Sequence, residues 1–257
     1  MADFDYGILD ATAHRPWPMP DSPWIMTQSW HELLFAHWPV EPQVLRQVVP
    51  SVFPLDLHHG NGWLGIVAFH MTNVAPRGIP TLPWLSAFPE LNVRTYVTME
   101  GKPGVWFLSL DAANPLAVRA ARRVFHLPYF SATMTVESAD GVVRYNSRRT
   151  DRHGPSARFV GRYRPTAAAR APTPGTLDHF LTERYCLYTL NRRGEPLRLE
   201  IHHPPWPLQP AELILDTNTM AAAARVPLPM VEPLLHFAGR QDIVAWPLSR
   251  PGPTPRP

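Results

Sequence analysis

The sequence predicts an α+β protein that is mostly antiparallel β-sheet, with a few short helices at its periphery. Proline supplies 32 of the 257 residues, more than twice the average share of about 5%, and proline at this density breaks long helices. Three segments have the composition of tight turns between β-rich runs: His58–Gly62, Glu100–Gly104 and Ala139–Gly141. Because hairpins outnumber helical patterns, we expect a curved sheet that closes into a barrel or a sandwich, in one domain.

The first third of the chain is interpreted as an arm followed by short elements. Pro42 suits the first position of a helix, and Asn61-Gly62 is a strong turn signal. A long proline-containing loop inside a compact domain is often functional. The predicted elements are an extended arm (1–27) before the domain (28–249), a helical turn within Ser29–Trp38, a helix (Glu41–Pro50), strands (Leu55–Leu57, Trp63–Met71) and a long loop (75–89).

The rest of the chain is predicted to alternate hairpins with two helices. Asn114 and Pro115 have the residue types of a helix N-cap and first turn. The predicted strands are Leu91–Met99, Val105–Asp111, Tyr129–Glu137, Val142–Ser147, Phe159–Arg164, Leu197–His203, Leu213–Asp216 and Ile243–Trp246. The predicted helices are Pro115–Val124 and Leu177–Tyr188, and residues 250–257 are expected to be a disordered tail.

Charge and composition exclude several classes of protein. The net charge is +3, but residues 144–170 carry eight arginines and one acid, which gives +7 there and leaves −4 for the remainder. This local excess is unlike that of a general nucleic-acid binder. Cys186 is the single cysteine, so an internal disulfide is excluded. The first residues lack an apolar signal core, and apolar runs fall short of the ~20 residues that span a bilayer. We therefore expect a cytoplasmic protein without membrane or nucleic-acid partners.

The richest polar pattern lies on the predicted strand from residue 91 to residue 99 and just before it. Alternate side chains of a strand share a face, so Glu90, Asn92, Arg94 and Tyr96 point the same way. If the hairpin folds about Gly101-Lys102, Arg94 lies opposite Ser109 and Asn92 opposite Asp111. That register joins Glu90, Asn92, Arg94, Ser109 and Asp111 into one polar patch.

This patch has the residue types of a site for a small carboxylate. The guanidinium of Arg94 suits a substrate carboxylate, and Glu90 or Asp111 has the chemistry of a general acid or base. We predict ligand contacts also from Asn92, Ser109 and Tyr96, from Arg122 if it turns toward the sheet, and from Trp84 as a lid in the long loop. The alternative is that the patch is the solvated face of an amphipathic hairpin, or a structural ion-pair network.

Metal, cofactor and hydrolase motifs are weaker. Adjacent residues on a strand point to opposite faces, so His58-His59 and His202-His203 make poor chelating pairs. Ser109-Leu-Asp111 lacks the Gly-x-Ser-x-Gly turn of a hydrolase nucleophile. The sequence also lacks a glycine-rich phosphate or dinucleotide fingerprint. We predict neither a metal nor a cofactor.

A resemblance to a family emerges from several strings together. They are Phe88-Pro-Glu-Leu-Asn-Val-Arg-Thr-Tyr-Val97, Gly104-Val-Trp-Phe-Leu-Ser-Leu-Asp-Ala112, Leu127-Pro-Tyr129, Thr176-Leu-Asp-His-Phe-Leu-Thr-Glu-Arg-Tyr185 and His202-His-Pro-Pro-Trp-Pro207. These strings are similar to those of the YqjF-like family of uncharacterised bacterial proteins, over nearly the whole chain. The resemblance implies a fold like that of acetoacetate decarboxylase, in which a curved sheet closes around a buried pocket.

The resemblance to acetoacetate decarboxylases also implies that this chain lacks the lysines needed for decarboxylation through an imine. Acetoacetate decarboxylases use a lysine that forms a Schiff base beside a second lysine, whose charge lowers the pKa of the first. Those lysines align near Ala112 and Ala113, and Lys102, the single lysine, is expected at a solvated hairpin tip. One acidic residue of the decarboxylase site aligns with Glu90, whereas the other falls at Gly65 or Ile66. The resemblance thus implies a pocket, but not decarboxylation through an imine.

Three functions remain open from the sequence. The first is an enzyme that acts on a small oxo-acid by hydration–dehydration or aldol-type lyase chemistry, with Arg94 and Glu90 or Asp111. The second is a binding or sensor protein with the same pocket and no catalysis. The third is an interaction protein that uses the arginine-rich segment 144–170. Whether the chain forms a homo-oligomer is also open.

Overall fold

The computed structural model describes residues 3–82 and 85–252. A 3₁₀ helix (Tyr6–Asp10) precedes the sheet. The helices are α1 (Pro42–Arg46), α2 (Pro115–Val124), α3 (Leu177–Thr182) and α4 (Met220–Ala223). The strands are β1 (Met26–Val40), β2 (Gly62–Pro76), β3 (Phe88–Met99), β4 (Lys102–Ala112), β5 (Tyr129–Ala139), β6 (Val142–Arg149), β7 (Arg158–Pro165), β8 (Cys186–Leu190), β9 (Pro196–His202), β10 (Gln209–Asn218) and β11 (Leu234–Ala245).

The eleven strands form two closed rings that share one wall. Strands β1 to β4 and β11 belong to both rings. A nine-stranded ring closes through β5, β6, β7 and β10, and a seven-stranded ring closes through β8 and β9. All pairings are antiparallel except β4–β5 and β4–β8. The predicted mostly antiparallel barrel with short peripheral helices is therefore confirmed.

The shared wall is buried on both faces because each face lines a different ring. Leu91 and Val93 of β3 pack with Tyr145 and Phe159 in the core of the nine-stranded ring. The alternate residues of β3 point into the seven-stranded ring, where Val67, Phe69 and Trp206 form a second core. A continuous buried run such as Glu90–Val97 is what a strand with two covered faces requires.

Several predicted elements are confirmed. Helix α1 begins at Pro42, and Asn114 caps α2 by accepting hydrogen bonds from the amides of Leu116 and Ala117. The β5–β6 hairpin turns at Asp140-Gly141, whose positive φ values suit this composition. Strands β7, β10 and β11 occur where shorter strands were predicted, and β9 begins and ends one residue before the predicted strand Leu197–His203.

Other predictions were wrong. Ser29–Trp38 is part of β1 rather than a helical turn, and β1 pairs with a neighbouring strand on both edges. The prediction failed because a short apolar run is compatible with either a buried strand or a buried helix. Leu55–Leu57 contributes only an isolated bridge between Leu55 and Val97. The predicted helix Leu177–Tyr188 ends at Thr182 and continues as β8, and α4 was missed. Most of the predicted tail (250–257) lies outside the described residues.

The arginine-rich segment divides between the interior and the surface. Arg149 is 7% exposed inside the nine-stranded ring, whereas Arg144, Arg148, Arg158 and Arg162 are exposed on the outer face of β6 and β7. Within the described ranges, no helix combines the length and apolar character needed to cross a membrane.

Candidate functional site

A row of polar side chains from β3 lies inside the seven-stranded ring. Glu90, Asn92 and Arg94 stand opposite Phe69, Val67 and Gly65 of β2 in the antiparallel ladder. They are 4%, 4% and 7% exposed, and Tyr96 is 1% exposed. The sequence pattern thus placed these four residues on one face correctly, and the structure places that face in a buried interior rather than in solvent.

Glu90 is held in an apolar part of this interior. The hydroxyl of Tyr129, at the start of β5, donates a hydrogen bond to Oε2 of Glu90 at 2.7 Å. Ala112 lies directly opposite Glu90 on β4, within the apolar cluster of Phe69 and Val67. Burial raises the pKa of Glu90 to about 7, although the hydrogen bonds from Tyr129 and Asn92 oppose this shift. A carboxyl group with this pKa exchanges its proton near neutral pH.

Arg94 is a buried cation without a carboxylate partner in the described part of the chain. Its Nη2 donates to the carbonyl oxygen of Leu181 at 3.3 Å, and its guanidinium lies 5.4 Å from the ring centre of Phe35. No ion pair of Arg94 is found among the described residues, and its Nε has no hydrogen-bond acceptor there. Buried charged groups are normally paired, so this guanidinium has the character of an anion-binding group.

His37 adds a second polar group that the sequence did not single out. The hydroxyl of Tyr96 donates to the carbonyl of Leu181 at 2.8 Å, so it accepts from Nε2 of His37 at 2.7 Å. Burial, with the charge of Arg94, holds the pKa of His37 well below its ordinary value. The neutral ring therefore carries its proton on Nε2, and its buried Nδ1 is an acceptor without a partner among the described residues.

Gly65 provides the space for His37 and Arg94 to lie side by side. A Cβ atom at this position would lie 2.9 Å from Nε2 of His37 and 3.3 Å from Cγ of Arg94. The resemblance had placed a missing acidic residue at Gly65 or Ile66. A larger side chain at 65 would meet the imidazole, so the histidine on β1 occupies this part of the ring instead.

Unpaired polar atoms collect on this face. Within the described ranges, Nε of Arg94, Oδ1 of Asn92 and Nδ1 of His37 lack hydrogen-bond partners, and each residue is more than nine-tenths buried. An unsatisfied buried polar group is unfavourable by about 1–3 kcal/mol. Three such groups in one ring interior are unusual, because most buried polar atoms in proteins have a hydrogen-bond partner.

The predicted register of the β3–β4 hairpin was wrong. The two-residue turn is Glu100-Gly101, with φ of 54° and 75°, so Met99 pairs with Lys102. A shift between Val93 and Arg94 then changes the register again. As a result Asn92 lies opposite Leu110 and Arg94 opposite Phe107.

Ser109 and Asp111 consequently point to the other face of the wall. They pair with Val93 and Leu91, which line the nine-stranded ring. Oδ1 of Asp111 lies 2.7 Å from Nη2 of Arg149, in an ion pair that is almost fully buried. The structure therefore brings together Glu90, Asn92, Arg94 and Tyr96 and separates Ser109 and Asp111 from them.

Arg122 and Lys102 lie outside this interior. Arg122 donates from Nε to the carbonyl of Tyr129 at 2.6 Å and pairs with Asp151, so it supports the Tyr129 backbone. Trp84 lies outside the described residues. Lys102 was expected to be solvated, but its Nζ lies 2.8 Å from Oε1 of Glu200 and 5.1 Å from the ring centre of Trp17.

Sequence reasoning missed His37 and Tyr129 for different reasons. His37 was missed because Ser29–Trp38 was interpreted as a helical turn. Had the segment been interpreted as a strand, the two-residue spacing would have placed Phe35 and His37 on the same face. Tyr129 appeared only as part of a family string, because nothing in its local pattern indicates a contact with Glu90. Such contacts arise between strands that are far apart in the sequence.

Comparisons with known proteins agree with this architecture. Residues 27–242 match the DUF2071 family, described as uncharacterized conserved protein. YqjF of Bacillus subtilis (strain 168) is 47% identical over 232 residues, which cover 90% of this chain and 95% of that protein.

Solved structures with little sequence identity share the fold. The enduracididine biosynthesis enzyme MppR complexed with pyruvate has a TM-score of 0.60 at 11% identity, with 93% of each chain covered. Acetoacetate decarboxylase from Legionella pneumophila has a TM-score of 0.58 at 12% identity, with 98% of each chain covered. The resemblance inferred from the sequence is thereby confirmed: the chain belongs to the DUF2071 family, together with YqjF, and has an acetoacetate-decarboxylase-like fold.

Proposed function

We propose that the interior of the seven-stranded ring binds a small 2-oxo acid, with Arg94 as the group that receives its carboxylate. The observation that carries this proposal is the buried guanidinium of Arg94, which lacks a carboxylate partner in the described chain and has an unbonded Nε. A ligand carboxylate would accept from this Nε and neutralise the charge. The similar fold of MppR, whose structure was determined with pyruvate, supports this ligand class.

Glu90 is the proposed proton-transfer group. It lies four residues from Arg94 on the same face of β3, a separation of about 13 Å between Cα atoms, and Asn92 lies between them. A molecule of three or four carbons bound to the guanidinium of Arg94 could reach the carboxyl group of Glu90 across this span. A pKa of about 7 for Glu90 leaves both its acid and its base form populated near neutral pH.

The proposed reaction begins with removal of a proton from the carbon next to the ketone. The C–H bond breaks, its electron pair forms the enolate, and the proton moves to the Glu90 carboxylate. Arg94 stabilises the negative charge, since the carbonyl and carboxylate are adjacent in a 2-oxo acid. Return of the proton closes an exchange reaction, and addition or elimination at the same carbon gives the lyase-type reactions. No step requires an imine.

Calorimetry and proton exchange test the two parts separately. Pyruvate should bind to the wild-type chain, and Arg94→Met should weaken binding at least tenfold. In D₂O the wild type should catalyse exchange at C3 of pyruvate, and Glu90→Gln should abolish exchange while pyruvate still binds. Binding without exchange would leave a ligand-binding protein and reject the catalytic role. Equal pyruvate binding by Arg94→Met and wild type would reject the site itself.

A further inference from the structure

A groove opens where β4 changes its neighbouring strand. Val105 and Trp106 pair with β8, whereas Leu110–Ala112 pair with β5. Within the described ranges, residues 107–109 have no partner strand on this edge of β4. The two rings separate at this fork, and a groove of about 470 Å³ lies there.

The groove has an apolar floor and basic groups beside it. Trp106, Phe107 and Leu108 form part of its lining, and all three are half-buried. Arg122, His126 and Arg192 also line it. Cavities of this size hold ligands larger than a three-carbon acid, and this lining suits an anion with an apolar or aromatic body.

Phe107 connects this groove to the interior of the seven-stranded ring. It lies directly opposite Arg94 in the β3–β4 ladder, so both side chains are on the same face. Its ring packs in the cluster of Tyr96 and Leu181, the residues that also contact His37 and Arg94. A single aromatic side chain therefore contributes both to the groove and to the surroundings of Arg94.

We infer that the groove at the β4 fork is the entrance and tail subsite of the ligand site, and that the ligand is a 2-oxo acid with an aromatic or branched apolar tail. This inference rests on the proposed function, because it requires Arg94 to bind the carboxylate of the ligand. The tail of the ligand then passes Phe107 and lies against Trp106 and Leu108. Phe107 acts as the gate and as a contact to the tail. Arg192 attracts the anion to the entrance, whereas the charge of Arg122 is already paired with Asp151.

Calorimetry with two acids tests the tail subsite. Phenylpyruvate should bind the wild type at least tenfold more tightly than pyruvate. Leu190→Trp, which fills the groove from the end of β8, should weaken phenylpyruvate binding at least tenfold and leave pyruvate binding within twofold. Ile214→Trp, on the exposed face of β10, is the matched control and should change neither. Equal affinities for both acids, or equal losses in Leu190→Trp, would overturn the subsite.

Stopped-flow binding tests the gate independently. Phe107→Ala should raise the association rate constant of pyruvate at least tenfold, because the ring no longer has to move aside. An unchanged association rate constant would overturn the entrance. If the wild type binds neither acid, the proposed function fails together with this inference. If it binds pyruvate through Arg94 without a gain from the tail, only this inference fails.

Discussion

The hydroxyl of Tyr129 donates a 2.7 Å hydrogen bond to Oε2 of Glu90 inside the seven-stranded ring. Tyr129 lies at the start of β5, and Glu90 lies near the start of β3, with β4 between them. This contact supports the carboxylate form, yet burial outweighs it and raises the pKa of Glu90 to about 7. Glu90 is thus a carboxyl group that the fold holds partly protonated.

Glu90 should make the stability of the protein depend on pH. Its pKa in the folded state lies above the ordinary value of 4.5, so the folded state keeps a proton that the unfolded state releases. The free energy of unfolding should therefore fall as the pH rises from about 4.5 to 7, by about 3 kcal/mol in total. Glu90→Gln should abolish this loss and be more stable than the wild type at pH 8.

Urea unfolding at several pH values measures this effect. Glu137→Gln, on the exposed end of β5, is the control and should keep the pH dependence of the wild type. The prediction concerns the difference between each variant and the wild type, since other carboxyl groups titrate in both. An unchanged pH dependence in Glu90→Gln would contradict it.

Arg94 and Arg184 should respond in opposite ways to the same substitution. Both are buried and lie over the ring of Tyr96, but Nη1 of Arg184 pairs with Asp56 at 2.5 Å. Arg94→Met removes a buried charge that has no counter-ion in the described chain, so the free energy of unfolding should be unchanged or rise by about 1 kcal/mol. Arg184→Met leaves Asp56 unpaired and should destabilise the fold by about 3 kcal/mol. A large loss in Arg94→Met would assign Arg94 a structural role.

Gly65→Ala should disturb the pair of His37 and Arg94. The new methyl group would lie 2.9 Å from Nε2 of His37, so the imidazole must move away from Tyr96. We expect a loss of about 1–3 kcal/mol in the free energy of unfolding and weaker pyruvate binding. Gly239→Ala is the matched control on β11, because its nearest neighbouring atom would be 4.0 Å away. Similar behaviour of the two variants in thermal unfolding and calorimetry would refute the packing role of Gly65.

Lys102 should not form an imine with an oxo-acid. Its side-chain nitrogen lies 2.8 Å from Oε1 of Glu200 and over the ring of Trp17, and these two contacts hold it in place rather than free to attack a carbonyl carbon. Borohydride added with pyruvate should therefore leave the intact mass of the protein unchanged. Lys102→Arg is the control, since it removes the side-chain amine and keeps the charge. A reduced pyruvate adduct in the wild type that is absent from Lys102→Arg would contradict this expectation.

The sequence predicted which β3 residues share a face, but it did not predict which residues of other strands contact that face. Strand alternation is a local property, and it assigned Glu90, Asn92, Arg94 and Tyr96 correctly to one side. The position of Asp111 depended on the turn at Glu100-Gly101 and on the register shift next to Arg94, and a single-residue error reverses the face. The contacts of His37 and Tyr129 depend on the closure of a ring from distant strands, for which local periodicity carries no signal.

Asp111 and Arg149 should act as a structural pair rather than as part of the ligand site. Arg149 donates to Asp111 from Nε at 3.0 Å and from Nη2 at 2.7 Å, and it lies 4.0 Å from the ring centre of Phe130. Arg149→Met leaves a buried carboxylate unpaired and should destabilise the fold by about 3–5 kcal/mol. The double variant Asp111→Leu, Arg149→Met removes both charges and should recover most of this loss, as measured by urea unfolding. Because Asp111 points away from Arg94, the double variant should bind pyruvate with the wild-type affinity, and a tenfold loss there would return Asp111 to the site.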